Sequence, residues 1–299
     1  MDRREVLKGA VAGALTLWAS PRIVGQQAAG TLAVLDGGGS NILALPTAVG
    51  LVLVDSGAPK SRDSVMASLQ AVNLAAKGFV QTLFNTHYHI DQTGNNEMLP
   101  KPEKIIAHER TRQWMSTDYW VEAEERYEKA RPKAARPTET FLTTGSMKTG
   151  TEQIDYGYLP LAHTSGDIYV HFKTSNVLAV GDVASPLRDP ALDWFTGAWI
   201  GGRVDAMDIL LALANDQTRI VPAYGPVMTR AEFKAERDLM EEVRARLFKQ
   251  VREGDGPKDM LEGGVLKGLP RTWKDPEKFL YDAAKGLWAH HDKLDPNVV

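Results

Sequence analysis

Alternating and continuous runs of apolar residues predict that a β-rich region begins after residue 30. Runs at 31–35, 41–46 and 51–55 are separated by glycine-containing turns, which is typical of an antiparallel meander. Apolar residues then recur at helical spacing over 61–76, and a strand follows over 79–85. This order of elements is typical of an α/β fold.

The rest of the chain continues the mixed pattern. The predicted elements are a charged helix over 109–131 that ends at the proline-containing segment 132–137, strands over 153–162, 168–173 and 176–180, a helix over 204–215, a strand over 219–222, and a long charged helix over 230–253. Helical segments broken by glycine and proline follow over 258–291, within a helical tail that we place at 228–299. No period repeats and no linker is evident. We therefore expect a single domain with two similar halves.

The amino-acid composition limits which catalytic and metal-binding groups the chain can use. The chain has 299 residues, is 43% hydrophobic, carries a net charge of −3 and contains no cysteine. Disulfides, zinc ribbons, iron–sulfur clusters and thiol nucleophiles are excluded, so metal chemistry would rest on His, Asp and Glu. A nearly neutral chain gives no electrostatic footprint for nucleic acid. The expected partner is a small-molecule substrate.

The N-terminal segment resembles a twin-arginine export signal. Arg3 and Arg4 are followed by Leu7, Lys8 and a weakly apolar run over 9–19. The alternative is a basic amphipathic helix. The run is too short to span a bilayer, and no later stretch is typical of a membrane span. The resemblance implies an exported, periplasmic protein, with a signal at 1–28 and one mature domain at 29–299.

The first candidate metal site is the segment His87-x-His89-x-Asp91, directly after a predicted strand. In an extended segment, side chains two positions apart point to the same side, so both imidazoles can face one ion. Neutral imidazoles suit zinc or iron, and the carboxylate could bind a second ion or act as a base. A surface loop that happens to contain two histidines is the alternative.

Two further segments strengthen the metal hypothesis. His163 follows another predicted strand, within His163-Thr164-Ser165-Gly166-Asp167, and Asp182 follows a third, within Gly181-Asp182. Together with Val54-Asp55-Ser56-Gly57 and Asn85-Thr86-His87-Tyr88-His89-Ile90-Asp91, these motifs resemble the metallo-β-lactamase superfamily in content and order. The resemblance covers roughly 31–229. It implies an α/β fold of the αββα sandwich type, with a C-terminal helical tail here, and hydrolysis of an amide, ester, thioester or phosphoester, although the fold alone names no substrate.

The resemblance also implies the ligands. His87, His89 and His163 match the ligands of the first metal, Asp182 matches the carboxylate that bridges two metals, and Asp91 matches a ligand of the second. Two positions depart from the family pattern, because Gln92 and Tyr224 stand where histidines are expected. The second site would be rich in oxygen and poor for zinc. We expect one tightly held metal, zinc by preference and iron as the alternative.

Other polar residues have structural interpretations. His108 follows a short predicted strand and is the best replacement for a lost ligand, although a structural role is favoured because it matches no ligand position. His171 is expected in a sheet, and His290 and His291 in solvent. By the same resemblance, Asp55 is a buried carboxylate that supports the metal loop.

The expected mechanism is hydrolysis at a single zinc ion. Three imidazoles leave a position for water, whose pKa zinc can lower to about 7. Asp91 is the candidate general base, and Tyr224 is the candidate hydrogen-bond donor to the developing oxyanion.

Two alternatives use the same residues. His87, His163 and Asp182 form the two-histidine, one-carboxylate set that suits iron and oxygen chemistry, and sulfur dioxygenases of the superfamily are similar, except that they keep a histidine where Gln92 stands. A non-catalytic metal-binding protein is the other alternative.

Substrate contacts are expected from the aromatic segment 192–202. Trp194 and Trp199 within it suit a loop over the site, with Trp114 and Trp120 as an opposite wall. A packed segment that anchors the next helix fits equally well.

Overall fold

A computed structural model describes residues 31–73, 78–100, 102–121 and 125–290. The twin-arginine segment and His291 lie outside these ranges. The strands are β1 (Ala33–Asp36), β2 (Asn41–Pro46), β3 (Leu51–Val54), β4 (Val80–Phe84), β5 (Lys104–His108), β6 (Tyr119–Val121), β7 (Arg126–Glu128), β8 (Glu139–Phe141), β9 (Thr144–Thr149), β10 (Glu152–Tyr158), β11 (Ile168–Phe172), β12 (Val177–Gly181) and β13 (Arg219–Pro222). The α-helices are α1 (Arg62–Val72), α2 (Ile90–Thr93), α3 (Glu109–Met115), α4 (Ile200–Leu213), α5 (Arg230–Glu253), α6 (Pro257–Glu262) and α7 (Pro276–Ala289).

Two mixed sheets form the centre of the fold. The first has the order β1-β2-β3-β4-β5-β8, with β1 to β3 antiparallel as the predicted meander and β3, β4, β5 and β8 parallel. The second has the order β13-β12-β11-β10-β9, in which only the β12–β13 pair is parallel. Strands β8 and β9 were not predicted from the sequence.

Three apolar clusters assign the layers. Val54 and Phe84 of the first sheet pack with Val170 of the second, so the two sheets bury a common core. On the outer face of the first sheet, Leu69 of α1 covers Leu83. On the outer face of the second sheet the cluster joins β12 and β13 to α4, α5 and α7. The resulting order of helix, sheet, sheet and helix is the αββα sandwich that the sequence predicted.

The predicted helix over 109–131 is wrong beyond its first two turns. Helix α3 ends at Met115, and β6 and β7 form an antiparallel hairpin. The Asp118 carboxylate accepts hydrogen bonds from the backbone N–H of Ala130, at 2.9 Å, and from Lys129. Trp120 pairs across the hairpin with Tyr127, with ring centroids 5.0 Å apart. Aromatic residues favour strands, and this cross-strand pairing outweighs the helical spacing.

The described part of the tail, up to residue 290, packs on the rest of the domain. Helix α5 has the predicted bounds, and its capping box at Thr229 and Glu232 defines its start. His290, expected in solvent, is buried against Trp199, with the two rings stacked 4.8 Å apart. That expectation was wrong because α7 carries His290 onto the outer helical layer. None of the helices in the described part of the chain is long and apolar enough to cross a membrane.

Candidate metal centre

Three histidines converge at one edge of the sandwich. His87 and His89 lie in the loop between β4 and α2, and His163 lies in the loop between β10 and β11. One ring nitrogen from each lies within 4.8 Å of the others. The fold thus brings together the three residues that were predicted from the sequence as ligands of the first metal.

The ring nitrogens that point away from this convergence have partners. Nε2 of His89 lies 2.8 Å from the Asp193 carboxylate, and Nδ1 of His163 lies 2.9 Å from the carbonyl of Ala191. Because an oxygen of either kind accepts hydrogen bonds here, each of these nitrogens carries the hydrogen. The facing nitrogens, Nδ1 of His89 and Nε2 of His163, are then lone-pair donors.

His87 is oriented through a chain of hydrogen bonds. The Thr86 hydroxyl donates to the Asp55 carboxylate at 2.7 Å and lies 3.1 Å from Nδ1 of His87. The hydroxyl hydrogen is committed to Asp55, so Nδ1 of His87 donates to Thr86. Asp55 is therefore the buried support of the metal loop, as expected. Burial raises its pKa to about 8, although the backbone and side-chain hydrogen bonds of Thr86 lower it.

The facing nitrogens fit a metal ion. Nε2 of His87 is buried without a hydrogen-bond partner, and Nδ1 of His89 lies only 3.0 Å from Nε2 of His163. Two lone pairs at that distance need a proton or a cation between them. Burial, with the neighbouring histidines, lowers the pKa of His87 well below its usual value, so it is in the neutral state that binds metal. Three orphaned or opposed imidazole nitrogens match the donor set of a zinc or iron site.

A proton and a metal compete at His89. Burial lowers the pKa of His89, but the Asp193 carboxylate outweighs burial and raises this pKa to about 9. Without metal, a proton on Nδ1 would therefore bridge to His163 at neutral pH. Metal binding must displace that proton.

Asp182 lies next to the three histidines. It is buried at the turn that follows β12, where Gly181 adopts a positive φ of 57°. One carboxylate oxygen lies 3.7 Å from Nε2 of His87 and 3.9 Å from Nε2 of His163, and the other accepts a hydrogen bond of 2.8 Å from Arg188. Asp182 therefore connects the histidines to a cationic side chain that the sequence did not single out.

The predicted second-site residues form a separate network. The Tyr224 hydroxyl donates to Asp91, and the Arg188 guanidinium stacks on the Tyr224 ring, with 3.3 Å between its central carbon and the ring centroid. Burial and the hydrogen bond to Asp91 raise the pKa of Tyr224, which keeps the phenol protonated. Gln92 is fully buried, and its side-chain amide has no hydrogen-bond partner in the described part of the chain.

Two residues of this centre, Asp193 and Arg188, were missed from the sequence. A metal-binding histidine needs a partner for its second nitrogen, so a carboxylate for His89 could have been sought. Its position, 104 residues along the chain, follows no local pattern. Arg188 lies in the loop between Asp182 and Asp193, in a stretch without recognisable motif.

His108 does not replace a lost ligand. Its Nε2 lies 3.1 Å from the Leu142 carbonyl, its Nδ1 accepts the backbone N–H of Arg110, and its ring stacks on Tyr158 at 4.0 Å. Both ring nitrogens are engaged, so the role is structural. His171 lies within β11, as expected.

The aromatic residues divide into two groups. Phe195 contacts Trp114 and Tyr119, and Trp114 stacks on Tyr88, whose ring lies 4.6 Å from that of His89. These four aromatic side chains, here called the aromatic cluster, extend outward from the metal centre.

Three of the four tryptophans predicted as substrate contacts lie outside the aromatic cluster. Trp194 contacts Phe195 and also Tyr281 of α7, so it borders the cluster. Trp199, expected at the substrate, is instead 5% exposed and stacked between His290 and Phe248. Trp120, expected in the opposite wall, lies in the β6–β7 hairpin against Tyr127. Trp199 therefore packs in the helical layer, whereas Trp120 in the hairpin is 47% exposed.

Comparisons with known proteins agree with this geometry. The family model described as the metallo-beta-lactamase superfamily matches residues 35–259. A metallo-beta-lactamase from Pontibacter korlensis is 20% identical over 70% of this chain and 93% of its own, with a TM-score of 0.53. The B3 metallo-beta-lactamase BLEG-1 is 16% identical over 68% of this chain and 95% of its own, with a TM-score of 0.55. A double mutant of the sec-alkyl sulfatase PisA1 is 12% identical over 91% of this chain and 52% of its own, with a TM-score of 0.61. The search of curated proteins found no match.

Proposed function

Since the chain belongs to the metallo-β-lactamase superfamily, we propose that it is a hydrolase that uses one metal ion, zinc by preference, held by His87, His89 and His163. The supporting observation is the convergence of three imidazole nitrogens, with hydrogen-bonded partners on the opposite side of every ring. The substrate is a small molecule with an ester, amide or lactam, thioester or phosphoester bond.

His87, His89 and His163 would hold the metal ion, which when bound would supply an activated water and a Lewis acid for the scissile bond. Asp91 is the general base in this proposal, because its carboxylate is partly exposed and lies in the first turn of α2, two residues after His89. Tyr224 donates its hydroxyl hydrogen to Asp91 and so fixes the carboxylate. This contact replaces the oxyanion role expected for Tyr224 with a positioning role.

The aromatic cluster supports an apolar or planar substrate. Phe195 is 39% exposed although it contacts two other aromatic rings. A half-covered aromatic surface beside a metal centre is typical of a ligand wall. Trp194 borders this surface and remains a candidate substrate contact.

Export through the twin-arginine pathway is part of the proposal. The paired arginines at positions 3 and 4 and the apolar run support it. Fractionation of cells that express the full chain, with an Arg3→Lys/Arg4→Lys double variant as control, tests it. Periplasmic wild type and retained variant are expected, whereas equal export of both would contradict the proposal.

Metal analysis of the full chain, purified without added metal, tests the central proposal. One zinc per chain and metal-dependent turnover in a panel of ester, lactam, lactone, thioester and phosphodiester substrates are expected. His163→Ala should lose the metal, whereas the matched control His171→Ala should retain it, because His171 lies in β11 away from the three-histidine convergence. Absence of metal from the wild type after reconstitution would contradict the proposal.

A second candidate function is an iron-dependent oxygenase. The observation that favours it is the Asp182 oxygen within 3.9 Å of Nε2 atoms of both His87 and His163. Stoichiometric iron with oxygen consumption would establish it in place of hydrolysis. Bound metal without any turnover would instead indicate a non-catalytic metal-binding protein.

A further inference from the structure

The two oxygens of Asp182 face different neighbours. One faces the histidines, and the other accepts a 2.8 Å hydrogen bond from Arg188. The carboxylate is 4% exposed, and the Arg188 side chain is 40% exposed. The positively charged Arg188 side chain therefore binds the oxygen of Asp182 that faces away from the three histidines.

The same guanidinium is connected to Asp91 through Tyr224. It stacks on the Tyr224 ring, and the Tyr224 hydroxyl donates a hydrogen bond to Asp91. Asp182, Arg188, Tyr224 and Asp91 thus form one continuous series of contacts. Both carboxylates have an oxygen committed to a donor from the chain, one to a guanidinium and one to a phenol.

We propose that Arg188 takes the place of a second metal ion and holds the centre at one metal per chain. This inference rests on the proposed function, because it presupposes a metal at His87, His89 and His163. A divalent cation bound by Asp91 and Asp182 would compete with these two hydrogen bonds and would meet the positive charge of Arg188, which contacts Asp182 at 2.8 Å. Coulomb repulsion of that kind is strong where the surroundings are partly buried.

The backbone of the loop that carries Arg188 is anchored on several sides. Arg271 donates hydrogen bonds to the carbonyls of Ser185 and Arg188. The Ser185 N–H donates to Glu236 at 2.9 Å, and the Ser185 hydroxyl accepts from the fully buried Arg203 at 2.8 Å. These contacts hold the loop against α4, α5 and the segment before α7. The backbone of Arg188 therefore has a fixed position, which keeps the guanidinium beside Asp182.

Sequence and structure agree on this interpretation. Replacement of two histidines by Gln92 and Tyr224 removes the nitrogen ligands from the second site. Tyrosine in place of histidine at position 224 therefore has two effects. It removes a nitrogen ligand, and it supplies the ring on which the Arg188 guanidinium stacks. Arginine is suited to this role because its planar guanidinium can stack on an aromatic ring and donate to a carboxylate at the same time.

The test restores the missing ligands with and without Arg188. Four full-length proteins are freed of metal and titrated with zinc alone by calorimetry, with the bound metal counted by elemental analysis. They are the wild type, Gln92→His/Tyr224→His, Gln92→His/Tyr224→His/Arg188→Ala, and the same double variant with Arg62→Ala. Arg62 is an exposed arginine at the start of α1 and controls for the loss of one positive charge.

One zinc is expected in the wild type, the double variant and the Arg62 control, and two zinc ions are expected in the Arg188 triple variant. Any residual second site in the double variant should bind zinc at least about a hundredfold less tightly than the second site of the triple variant. Two zinc ions in the double variant, or one in the triple variant, would overturn the role of Arg188. Occupancy of the first site reports an intact fold in each variant. A wild type that binds no zinc would instead contradict the proposed function, so the two failures are distinguishable.

Discussion

Nε2 of His89 lies 2.8 Å from an oxygen of Asp193, and the same oxygen accepts a hydrogen bond from the Tyr88 hydroxyl. Asp193 thereby sets the orientation of the His89 ring and leaves Nδ1 facing His163. A carboxylate in this position also makes the imidazole a stronger ligand. Asp193 is therefore a positioning residue for the metal centre.

Asp193→Asn should weaken zinc binding by about tenfold to a hundredfold, the usual cost of losing such a partner. The amide can still accept a hydrogen bond but carries no charge to strengthen the ligand. Competition with a chromogenic chelator at pH 7 measures the affinity. Asp205→Asn, at an exposed position of α4, is the matched control and should bind zinc like the wild type. Equal affinities in all three proteins would rule out this role for Asp193.

Asp91→Asn and Tyr224→Phe should affect turnover differently. Loss of a general base lowers kcat by about a hundredfold to ten-thousandfold. Loss of the Tyr224 hydroxyl removes a donor from the Asp91 carboxylate, so it should lower kcat only while Asp91 is present. Adding Tyr224→Phe to Asp91→Asn should therefore lower kcat no further, as steady-state kinetics of the two single variants and the double variant will measure.

The double variant separates the two roles of Tyr224. A donor to the oxyanion would lower kcat by about a hundredfold or more when removed, also from the Asp91→Asn variant. That result would return Tyr224 to the role that the sequence predicted. Unchanged turnover in Asp91→Asn at saturating substrate would show that another group is the base.

Phe195→Ala and Trp199→Ala should separate substrate binding from stability. Phe195 is partly exposed in the aromatic cluster, so its loss should raise KM by about threefold to tenfold with little change in Tm. Trp199 is buried, and its removal should cost about 3–5 kcal/mol of unfolding free energy while KM stays near the wild-type value. Thermal denaturation and steady-state kinetics check both. Trp194→Ala tests the neighbouring candidate, and an unchanged KM there would place Trp194 with the packing residues.

The layers of the fold were predictable because buried strands and helices leave recognisable patterns of hydrophobic residues in the sequence. Strand β11 is buried at every position, and α5 has a capping box at its start, so both leave clear local signals. The β6–β7 hairpin was missed because its strands are three residues long and partly exposed. At that length a helical spacing of aromatics cannot be distinguished from strand pairing.

The three converging histidines were predictable for a different reason. His87 and His89 are close in sequence, so one motif carries most of the donor set. The partners that orient and limit the site carry no such motif, because Asp193 lies 104 residues from His89 and Arg188 lies six residues after Asp182 in an irregular loop. No spacing rule connects the elements that bring such pairs together. Only the packing of the loop over 183–193 against α4, α5 and Arg271 places them.

His171 should make the fold sensitive to mild acid. It is 3% exposed in β11, and burial, together with Lys173, lowers its pKa below 6.5. As pH falls through about 6.5, the unfolded chain takes up a proton at His171 before the folded chain does. The free energy of unfolding should therefore fall with pH below that point. Its dependence on pH should flatten below the pKa of the folded state.

His171→Leu removes the titrating group, and leucine can fill the buried strand position. Urea unfolding of the metal-loaded proteins at several pH values between about 5 and 8 measures the slope of unfolding free energy against pH. The variant should have a shallower slope than the wild type below pH 6.5, whatever its stability at pH 8. His108→Leu is the comparison for an equally buried histidine, where burial also lowers the pKa but both ring nitrogens have partners. Parallel slopes for wild type and His171→Leu would show that His171 takes up its proton equally in both states, and the acid sensitivity would then have to arise elsewhere.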